Sequence, residues 1–305
     1  MRKRGRTDRL VVMFETRHLT RRFGELVAVD DVSLEVPDGA TVGFIGGNGA
    51  GKTTTMRMIM GLLGPDAGEV LWDGAPITAA ERRRIGYMPE ERGLYPKQRV
   101  LDQLVYLARL HGAGAAAARA EAVALLEAFG LGERTDEKLE KLSLGNQQRV
   151  QVTAAVMTEP AALILDEPFS GLDPEAVDSL AEVLRTRTAA GVPLLFSSHQ
   201  LSLVERLCDR LVILSHGRVV AAGTREELEA GGESRHRLVM DVDTGWVRDL
   251  PGITVLDVAG PTALLTLETA DARRALLTEA LARGDVRELA EVRPTLAEIY
   301  REVTR

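Results

Sequence analysis

Short apolar runs alternate with helical patterns along most of the chain, which is the order of elements in a parallel sheet with helices on both faces. Residues 27–36 alternate apolar and polar side chains and lead into a Pro-Asp-Gly turn, so we predict a half-exposed strand there. Residues 41–46, 161–168 and 192–199 contain apolar runs of strand length. We therefore expect an α/β fold in which these runs form buried, parallel strands.

Helices are predicted between these strands. Residues 52–63 have helical spacing, and we expect this helix to stop at the Gly-Pro pair that follows. An alanine- and leucine-rich stretch over about residues 100–130 predicts helices that are interrupted at 111–114. Residues 68–74 are typical of one more strand closed by a turn.

The pattern changes after about residue 229, where glycines and a serine indicate a linker. Downstream, the spacing predicts a strand, a short amphipathic stretch, two strands, a helix, a strand and a last helix over 295–304. This order matches a split βαβ, or ferredoxin-like, plan. We therefore predict an N-terminal extension (1–12), a main domain (13–229) and a small α+β accessory domain (230–305).

Composition and charge narrow the class of protein. The 305 residues are 45% hydrophobic and 27% charged, which is sufficient for a sizeable core. The net charge of −7 argues against a nucleic-acid partner, and we interpret the basic N-terminus as a solvated tail. The single cysteine, Cys208, fits a reducing cytoplasm, and we expect it in the core. No apolar run approaches the ~20 residues of a membrane span, so we expect a soluble chain or one held at a membrane by a partner.

A phosphate loop is the clearest chemical motif. The stretch from Gly46 to Thr53 is GGNGAGKT, which fits G-x-x-x-x-G-K-[ST] between a predicted strand and a predicted helix. Glycines let several backbone N–H groups face one anion, and the helix N-terminus adds partial positive charge. Lys52 would contact the β- and γ-phosphates, and Thr53 would bind Mg²⁺. The predicted ATP-binding residues here are Gly46, Gly47, Asn48, Gly49, Ala50, Gly51, Lys52, Thr53 and Thr54. A glycine-rich turn with a chance lysine is the alternative.

Two acids end the apolar run at 161–168. Asp166 and Glu167 would lie at the carboxyl edge of a parallel sheet, which faces the ligand crevice. Asp166 suits Mg²⁺, directly or through water, and Glu167 suits the general base that activates the attacking water. A surface strand end capped by acids is the alternative, and the nearby phosphate loop disfavours it.

The order of these motifs resembles that of the ATP-binding subunits of ABC transporters. After the phosphate loop come LSLGN (142–146), the Asp-Glu-Pro strand end, GLDP (171–174) and SSH (197–199), and the resemblance covers about residues 14–223. It implies ATP and Mg²⁺ as ligands. It also implies a P-loop NTPase fold with a RecA-like core, an antiparallel β subdomain and a helical subdomain at about 91–155. The working form would be a head-to-tail dimer.

The LSLGN stretch resembles the family's LSGGQ signature, which binds the γ-phosphate of ATP held by the other subunit. The match is at Ser143 and Gly145, whereas Leu144 and Asn146 depart from the commonest form and Gln147 and Gln148 follow. A hydroxyl, a flexible glycine and a helix N-terminus form a second anion site. A plain helix N-cap at Ser143 is the alternative, and the two interpretations are compatible.

Three more residues align with functional positions of the family. Phe23 aligns with the aromatic that stacks on adenine, and a core aromatic is its alternative. Asp173 aligns with the loop that couples the two ATP sites. His199 aligns with the histidine that contacts the γ-phosphate and holds the water, and a structural histidine is its alternative.

Glu90 departs from the family pattern, because many relatives have a glutamine there that touches Mg²⁺ and water. A carboxylate still binds Mg²⁺ but adds negative charge beside the triphosphate. The alternative is a solvent-facing Glu90 that pairs with Arg92. The surrounding sequence and the extra C-terminal domain resemble the efflux-type branch, which includes sodium and antibiotic exporters.

The resemblance implies an ATPase subunit that drives a separate membrane permease, in export, from the cytoplasmic face of the membrane. In this family the substrate is selected largely by the permease. A soluble ABC ATPase acting on DNA or ribosomes is the alternative, but such proteins usually have two cassettes or long insertions. A third possibility is a P-loop kinase, which transfers a phosphoryl group. Such an enzyme would not need Ser143, Gly145 or a glutamate directly after Asp166.

Overall fold

Strands and helices alternate over the described residues, which are 12–91, 93–231 and 234–304 of a computed structural model. In chain order the strands and α-helices are β1 (Val12–Phe23), β2 (Leu26–Pro37), β3 (Thr41–Gly46), α1 (Lys52–Ile59), β4 (Ala67–Trp72), β5 (Ala75–Pro76), α2 (Ala79–Arg82), β6 (Ile85–Met88), α3 (Val100–Leu110), α4 (Ala115–Ala128), α5 (Leu144–Val156), β7 (Ala162–Leu165), α6 (Pro174–Ala189), β8 (Leu194–Ser198), α7 (Leu201–Leu207), β9 (Arg210–Ser215), β10 (Arg218–Thr224), α8 (Arg225–Gly231), β11 (Arg235–Met240), β12 (Ile253–Ala259), β13 (Thr262–Leu267), α9 (Ala270–Arg283), β14 (Val286–Val292) and α10 (Leu296–Val303). Residues 1–11, which make up most of the predicted N-terminal extension, lie outside the described residues.

A six-stranded sheet in the order β10-β9-β3-β8-β7-β6 forms the centre of the first part of the chain. Strands β9, β3, β8, β7 and β6 run parallel, and β10 joins the edge antiparallel to β9. Every residue of β3, β7 and β8 is buried. The prediction of buried parallel strands is therefore confirmed, and their carboxyl ends share one edge of the sheet.

A second, antiparallel sheet has the order β2-β1-β4-β5. Its apolar face shares one core with the central sheet and with helix α1, through side chains such as Phe14, Val32, Phe44, Met56 and Trp72. This sheet corresponds to the expected antiparallel β subdomain.

Helices α3, α4 and α5 enclose a separate apolar core that includes Leu104, Ala122, Leu126 and Val150. The break between α3 and α4 is at residues 111–114, as the glycines predicted, and Gly112 has φ 93°. These helices form the expected helical subdomain.

Helix α1 is shorter than predicted, because it ends at Ile59 and not at the Gly-Pro pair. Gly61 has φ 71°, a left-handed conformation that closes helices and favours glycine. The N–H groups of Gly61 and Leu62 donate to the carbonyl oxygens of Met58 and Arg57, which satisfies the last turn. The apolar pattern continues past this glycine, and so it overestimated the helix length.

The contacts within the chain define a second compact unit over Arg225–Val303. Its antiparallel sheet has the order β12-β13-β11-β14, which is the strand order of the split βαβ plan. The first crossover is only a 3₁₀ turn at Gly245–Asp249, whereas the second is helix α9. Apolar side chains including Leu238 and Leu276 fill its core.

The predicted linker is partly helical. Helix α8 continues to Gly231, and an ion pair of 2.6 Å between Arg225 and Glu229, four residues apart, supports it. Residues 232 and 233 of the predicted linker lie outside the described residues. Within the described ranges, no helix combines the length and the hydropathy that a membrane span needs.

Cys208 follows helix α7, and its thiol faces the β3 residue Gly43. Burial, and then the Asp209 carboxylate, raise the pKa of the Cys208 thiol well above its ordinary value. A thiol in this state is protonated and inert at neutral pH, which agrees with a packing role.

Candidate nucleotide-binding site

The phosphate loop joins the carboxyl end of β3 to the first turn of α1. Gly51, the residue before the helix, has φ 105°, and a Cβ there would lie 2.6 Å from the carbonyl oxygen of Ala28. Glycine is therefore required at this position on two grounds. The Lys52 Nζ is buried in the loop, where it donates to the carbonyl oxygens of Gly46 (2.7 Å) and Gly47 (3.2 Å).

One pocket brings the loop together with four predicted residues distant in sequence. It is lined by Phe23, Leu26, Ala28, Asn48, Gly49, Ala50, Gly51, Lys52, Thr53, Thr54, Glu90, Asp166 and Glu167. Phe23 is 48% exposed, with the Arg21 guanidinium 5.2 Å from its ring centroid, so the alternative of a core aromatic is wrong. An exposed aromatic face at the rim of the pocket is free to stack on a planar ring.

Asp166 is fully buried at the end of β7. Its Oδ1 accepts a hydrogen bond of 2.5 Å from the Ser197 hydroxyl of β8, whereas Oδ2 is buried without a partner among the described residues. Burial, and then the Asp166 charge, raise the pKa of Tyr87 on the neighbouring strand β6. A buried carboxylate oxygen without a donor indicates a position where a cation or an ordered water belongs.

Glu167 has an unusual backbone for a non-glycine residue, with φ 51°. Its N–H donates to the Ser197 hydroxyl oxygen (2.8 Å), and its carbonyl oxygen accepts from Gln148 Nε2 (3.0 Å). Its Oε2 lies 3.0 Å from His199 Nδ1. The Glu167 side chain is only 13% exposed and the His199 side chain 54%. The structure thus brings the two predicted catalytic residues into direct contact.

Glu90 follows strand β6 and lies beside the phosphate loop. Its Oε2 is 3.4 Å from the Thr53 hydroxyl oxygen, so the side chain points at the residue predicted to bind Mg²⁺. The alternative partner, Arg92, lies outside the described residues. The neighbouring Glu91 pairs with Arg57 at 3.3 Å. Glu90 and Glu91 therefore have different partners although they are adjacent.

The predicted signature residues, 143–147, do not line this pocket in the part of the chain that the structure describes. Ser143 is the N-cap of α5, and its Oγ accepts from the Asn146 N–H at 3.4 Å. Leu144 is exposed, and a Cβ on Gly145 would approach the Gly171 carbonyl oxygen to 3.0 Å. The N-cap interpretation is confirmed.

Asp173 is the N-cap of α6, where its Oδ1 accepts from the Ala176 N–H at 2.8 Å. Its Oδ2 also pairs with Arg149 Nη2 of helix α5 at 3.1 Å. By family resemblance, the Asp173 loop couples the two ATP sites. The ion pair with Arg149 therefore connects this loop to α5, the helix that begins at the signature residues.

Sequence reasoning assigned no role of their own to three polar residues that contact pocket residues, which are Ser197, Gln148 and Gln151. Ser197 was part of the SSH motif, but only the pairing of β7 with β8 shows that it bridges Asp166 and Glu167. The two glutamines are buried polar residues on α5, and their carbonyl partners lie 19 to 62 positions away in sequence. A helical glutamine that faces a core is the signal that could have identified them.

Comparisons with known proteins agree with this geometry. Residues 29–170 match the family model described as ABC transporter, and residues 223–304 match that described as ATP-binding protein DrrA1-3-like, C-terminal domain. A protein of Bacillus subtilis (strain 168), named as the uncharacterized ABC transporter ATP-binding protein YhaQ, is 40% identical over 286 residues, covering 93% of this chain and 96% of that protein.

Two further relatives extend the comparison. Nod factor export ATP-binding protein I of Burkholderia orbicola (strain AU 1054) is 38% identical over 221 residues, covering 72% of this chain and 73% of its own length. A solved structure of the ATP binding subunit of an ABC transporter superposes with a TM-score of 0.67 at 35% identity, covering 72% of this chain and 92% of that one.

The free energy of unfolding tests the bridge that the Ser197 hydroxyl makes between Asp166 and Glu167. We expect Ser197→Ala to lower the free energy of unfolding by about 1–3 kcal/mol, because the buried Asp166 carboxylate and the Glu167 N–H both lose their partner. Urea denaturation measures this loss. Ser198→Ala is the matched control, since its hydroxyl only accepts from the Gln200 N–H. Equal, small losses in both variants would contradict the bridge.

Proposed function

Since this chain belongs to the family of ABC transporter ATP-binding proteins, we propose that it works as a dimer whose ATP hydrolysis drives a separate membrane permease in export. One observation carries the proposal. The phosphate loop, the buried Asp166, whose Oδ2 has no partner among the described residues, and the Glu167–His199 pair meet at one edge of the sheet. That edge is the ligand-binding edge of a parallel α/β sheet.

ATP binds with its triphosphate along the loop and its adenine against Phe23. The N–H groups before α1 and the helix N-terminus attract the phosphate oxygens. Lys52 exchanges its two carbonyl acceptors in the loop for phosphate oxygens. Both acceptors are neutral, so a charged phosphate is the better partner.

The residues that would hold Mg²⁺ are Thr53, Glu90 and Asp166. Asp166 Oδ2 is buried and has no partner within the described part of the chain, and Glu90 approaches Thr53, so both places offer hard oxygen donors, which Mg²⁺ prefers. The described residues contain no group of three or more His, Cys, Asp and Glu side chains placed for a metal. Nucleotide-linked Mg²⁺ takes one or two carboxylates and completes its shell with phosphate and water oxygens. When bound, Mg²⁺ neutralises charge on the phosphates.

Glu167 accepts a proton from the attacking water as the water approaches the γ-phosphorus. His199 touches the Glu167 carboxylate through Nδ1 and is half exposed, so its other ring nitrogen can reach the γ-phosphate. The histidine thus orients both the base and the phosphate that the water attacks.

The second half of each site would come from a partner chain. Ser143 and its neighbours lie away from the pocket of their own chain, with Leu144 exposed. The N-terminus of α5 and the Ser143 hydroxyl together suit an anion. A head-to-tail pair of chains would place this N-terminus on the γ-phosphate of the other chain, with the Asp173 loop between the two sites.

Export and a position on the cytoplasmic face of the membrane are the finer parts of the proposal. A relative that is 38% identical is named for Nod factor export, and the C-terminal family model matches residues 223–304. The permease is a separate chain with its own membrane spans.

Removal of the base tests the catalytic assignment. We expect Glu167→Gln to bind ATP but to hydrolyse it about 10²- to 10⁴-fold more slowly, because the amide cannot accept the proton of water. Steady-state ATPase assays and nucleotide-binding titrations on the same preparation measure both effects. Near-normal turnover in this variant would show that Glu167 is not the base.

Complementation tests the shared site. We expect chains with Lys52→Ala and chains with Ser143→Arg to be inactive alone, since every site in each dimer is damaged. A mixture should regain activity, because the heterodimer has one doubly damaged site and one intact site. Two affinity tags, purified in sequence, isolate the heterodimer for the ATPase assay. An inactive heterodimer in which ATP still binds would count against a shared site.

The dependence of ATPase activity on Mg²⁺ concentration tests the role of Glu90. We expect Glu90→Gln to fold normally and to need a higher Mg²⁺ concentration for half-maximal ATPase activity, because an amide binds Mg²⁺ more weakly than a carboxylate. Glu91→Gln is the matched control, since Glu91 faces Arg57. Superimposable Mg²⁺ titrations for wild type and both variants would leave Glu90 as surface charge.

A further inference from the structure

Helix α5 carries two buried glutamines on one face, three residues apart. Gln148 is 8% exposed and Gln151 is 5% exposed. Residues with this spacing lie one above the other on a helix. In both cases the side-chain nitrogen is directed away from the helix, at backbone carbonyl groups of another segment.

Gln151 holds the segment that carries Glu90. Its Nε2 donates to the Pro89 carbonyl oxygen at 2.7 Å and to the Glu91 carbonyl oxygen at 3.2 Å. The Pro89 carbonyl belongs to the peptide group before Glu90, and the Glu91 carbonyl lies one residue beyond it, so one amide anchors the segment on both sides of this residue. Both amide hydrogens of Gln151 are used.

Gln148 holds the segment that carries Glu167 in the same way. Its Nε2 donates to the carbonyl oxygens of Glu167 (3.0 Å) and Pro168 (3.2 Å). A non-glycine residue at φ 51° costs on the order of 1–3 kcal/mol and persists only when neighbouring groups hold it. Ser197 holds the N–H of Glu167, and Gln148 holds its carbonyl group.

We propose that Gln148 and Gln151 are positioning residues, through which α5 aligns the backbones of Glu167 and Glu90 for hydrolysis. This rests on the roles of the two glutamates proposed above. A buried carbonyl group without its donor is unfavourable, so each segment follows the helix when the helix moves. Because Ser143 caps the same helix, contact of Ser143 with the partner's ATP is transmitted to both glutamates of its own chain.

Two substitutions test the proposal directly. Gln148→Met and Gln151→Met keep the length and volume of the side chain but remove the N–H donors. We expect Gln148→Met to lower kcat about 10- to 100-fold at unchanged ATP affinity, as misplaced catalytic groups do. We expect Gln151→Met to raise the Mg²⁺ concentration for half-maximal activity. Thr153→Val on the same helix is the control, because the buried Thr153 hydroxyl donates only to the Arg149 carbonyl group of its own helix.

A double-mutant cycle separates positioning from general destabilisation. If Gln148 acts through Glu167, then Gln148→Met adds no further loss of kcat to Glu167→Gln. In the same way, Gln151→Met adds no further Mg²⁺ shift to Glu90→Gln. Fully additive losses, or wild-type kcat in Gln148→Met beside a slow Glu167→Gln, overturn the proposal. If a methionine variant does not fold, Gln148→Glu or Gln151→Glu replaces it, since these keep the shape and substitute an acceptor for the donors.

Hydrogen exchange keeps this test independent of the catalytic assignment. We expect the peptides over 163–172 in Gln148→Met and over 85–95 in Gln151→Met to exchange at least about tenfold faster than in Thr153→Val. If Glu167→Gln hydrolyses ATP normally, the assignment of Glu167 as the general base is wrong. Hydrogen exchange alone then tests whether the two glutamines hold the segments of Glu167 and Glu90. Faster exchange in that case still supports the two contacts, and unchanged exchange overturns them.

Discussion

The hydroxyl group of Ser197 is the contact on which the candidate site depends. It donates to the buried Asp166 carboxylate and accepts from the Glu167 N–H, so one oxygen orients both acids. Strands β7 and β8 are parallel neighbours, with Leu165 opposite Phe196, and Asp166 and Ser197 therefore emerge side by side. The left-handed backbone at Glu167 turns its side chain back over the sheet edge towards His199. Without this bridge, the buried Asp166 carboxylate loses its donor, and the strained Glu167 backbone is held only through its carbonyl group by Gln148.

The parallel sheet explains why residues far apart in sequence share one pocket. Strands β3, β6, β7 and β8 run the same way, so their carboxyl ends lie at the same edge. The phosphate loop follows β3, Glu90 follows β6, Asp166 and Glu167 follow β7, and His199 follows β8.

Local patterns predicted β2, β3, β4, β7, β8, the four strands of the second unit, most helices and the site motifs, because each is a short contiguous stretch, whereas β1, β5, β6, β9 and β10 were not predicted. The contacts of Ser197, Gln148 and Gln151 could not be predicted this way, since they depend on strand register and on which helical face meets which loop. The end of α1 at Ile59 was not predicted, because apolar residues continue at helical spacing past Gly61. The positive φ angle of Gly61, which ends the helix, cannot be identified from that spacing. Helix α8 was not predicted, because the glycines at its end were interpreted as a linker and the helix-stabilising Arg225–Glu229 pair was not considered.

The charge balance of the pocket sets a requirement on whatever binds there. Among its lining residues are three carboxylates, Glu90, Asp166 and Glu167, against one ammonium group, Lys52. Two unit charges 4 Å apart interact by about 4 kcal/mol at an effective dielectric of ~20, so a triphosphate beside three carboxylates is unfavourable without further positive charge. The helix N-terminus supplies only about half a charge. A divalent cation held by these carboxylates would offset the repulsion between them and the phosphates. The glutamate at position 90 makes this requirement stronger here than a glutamine would, because it adds one full charge where an amide adds none.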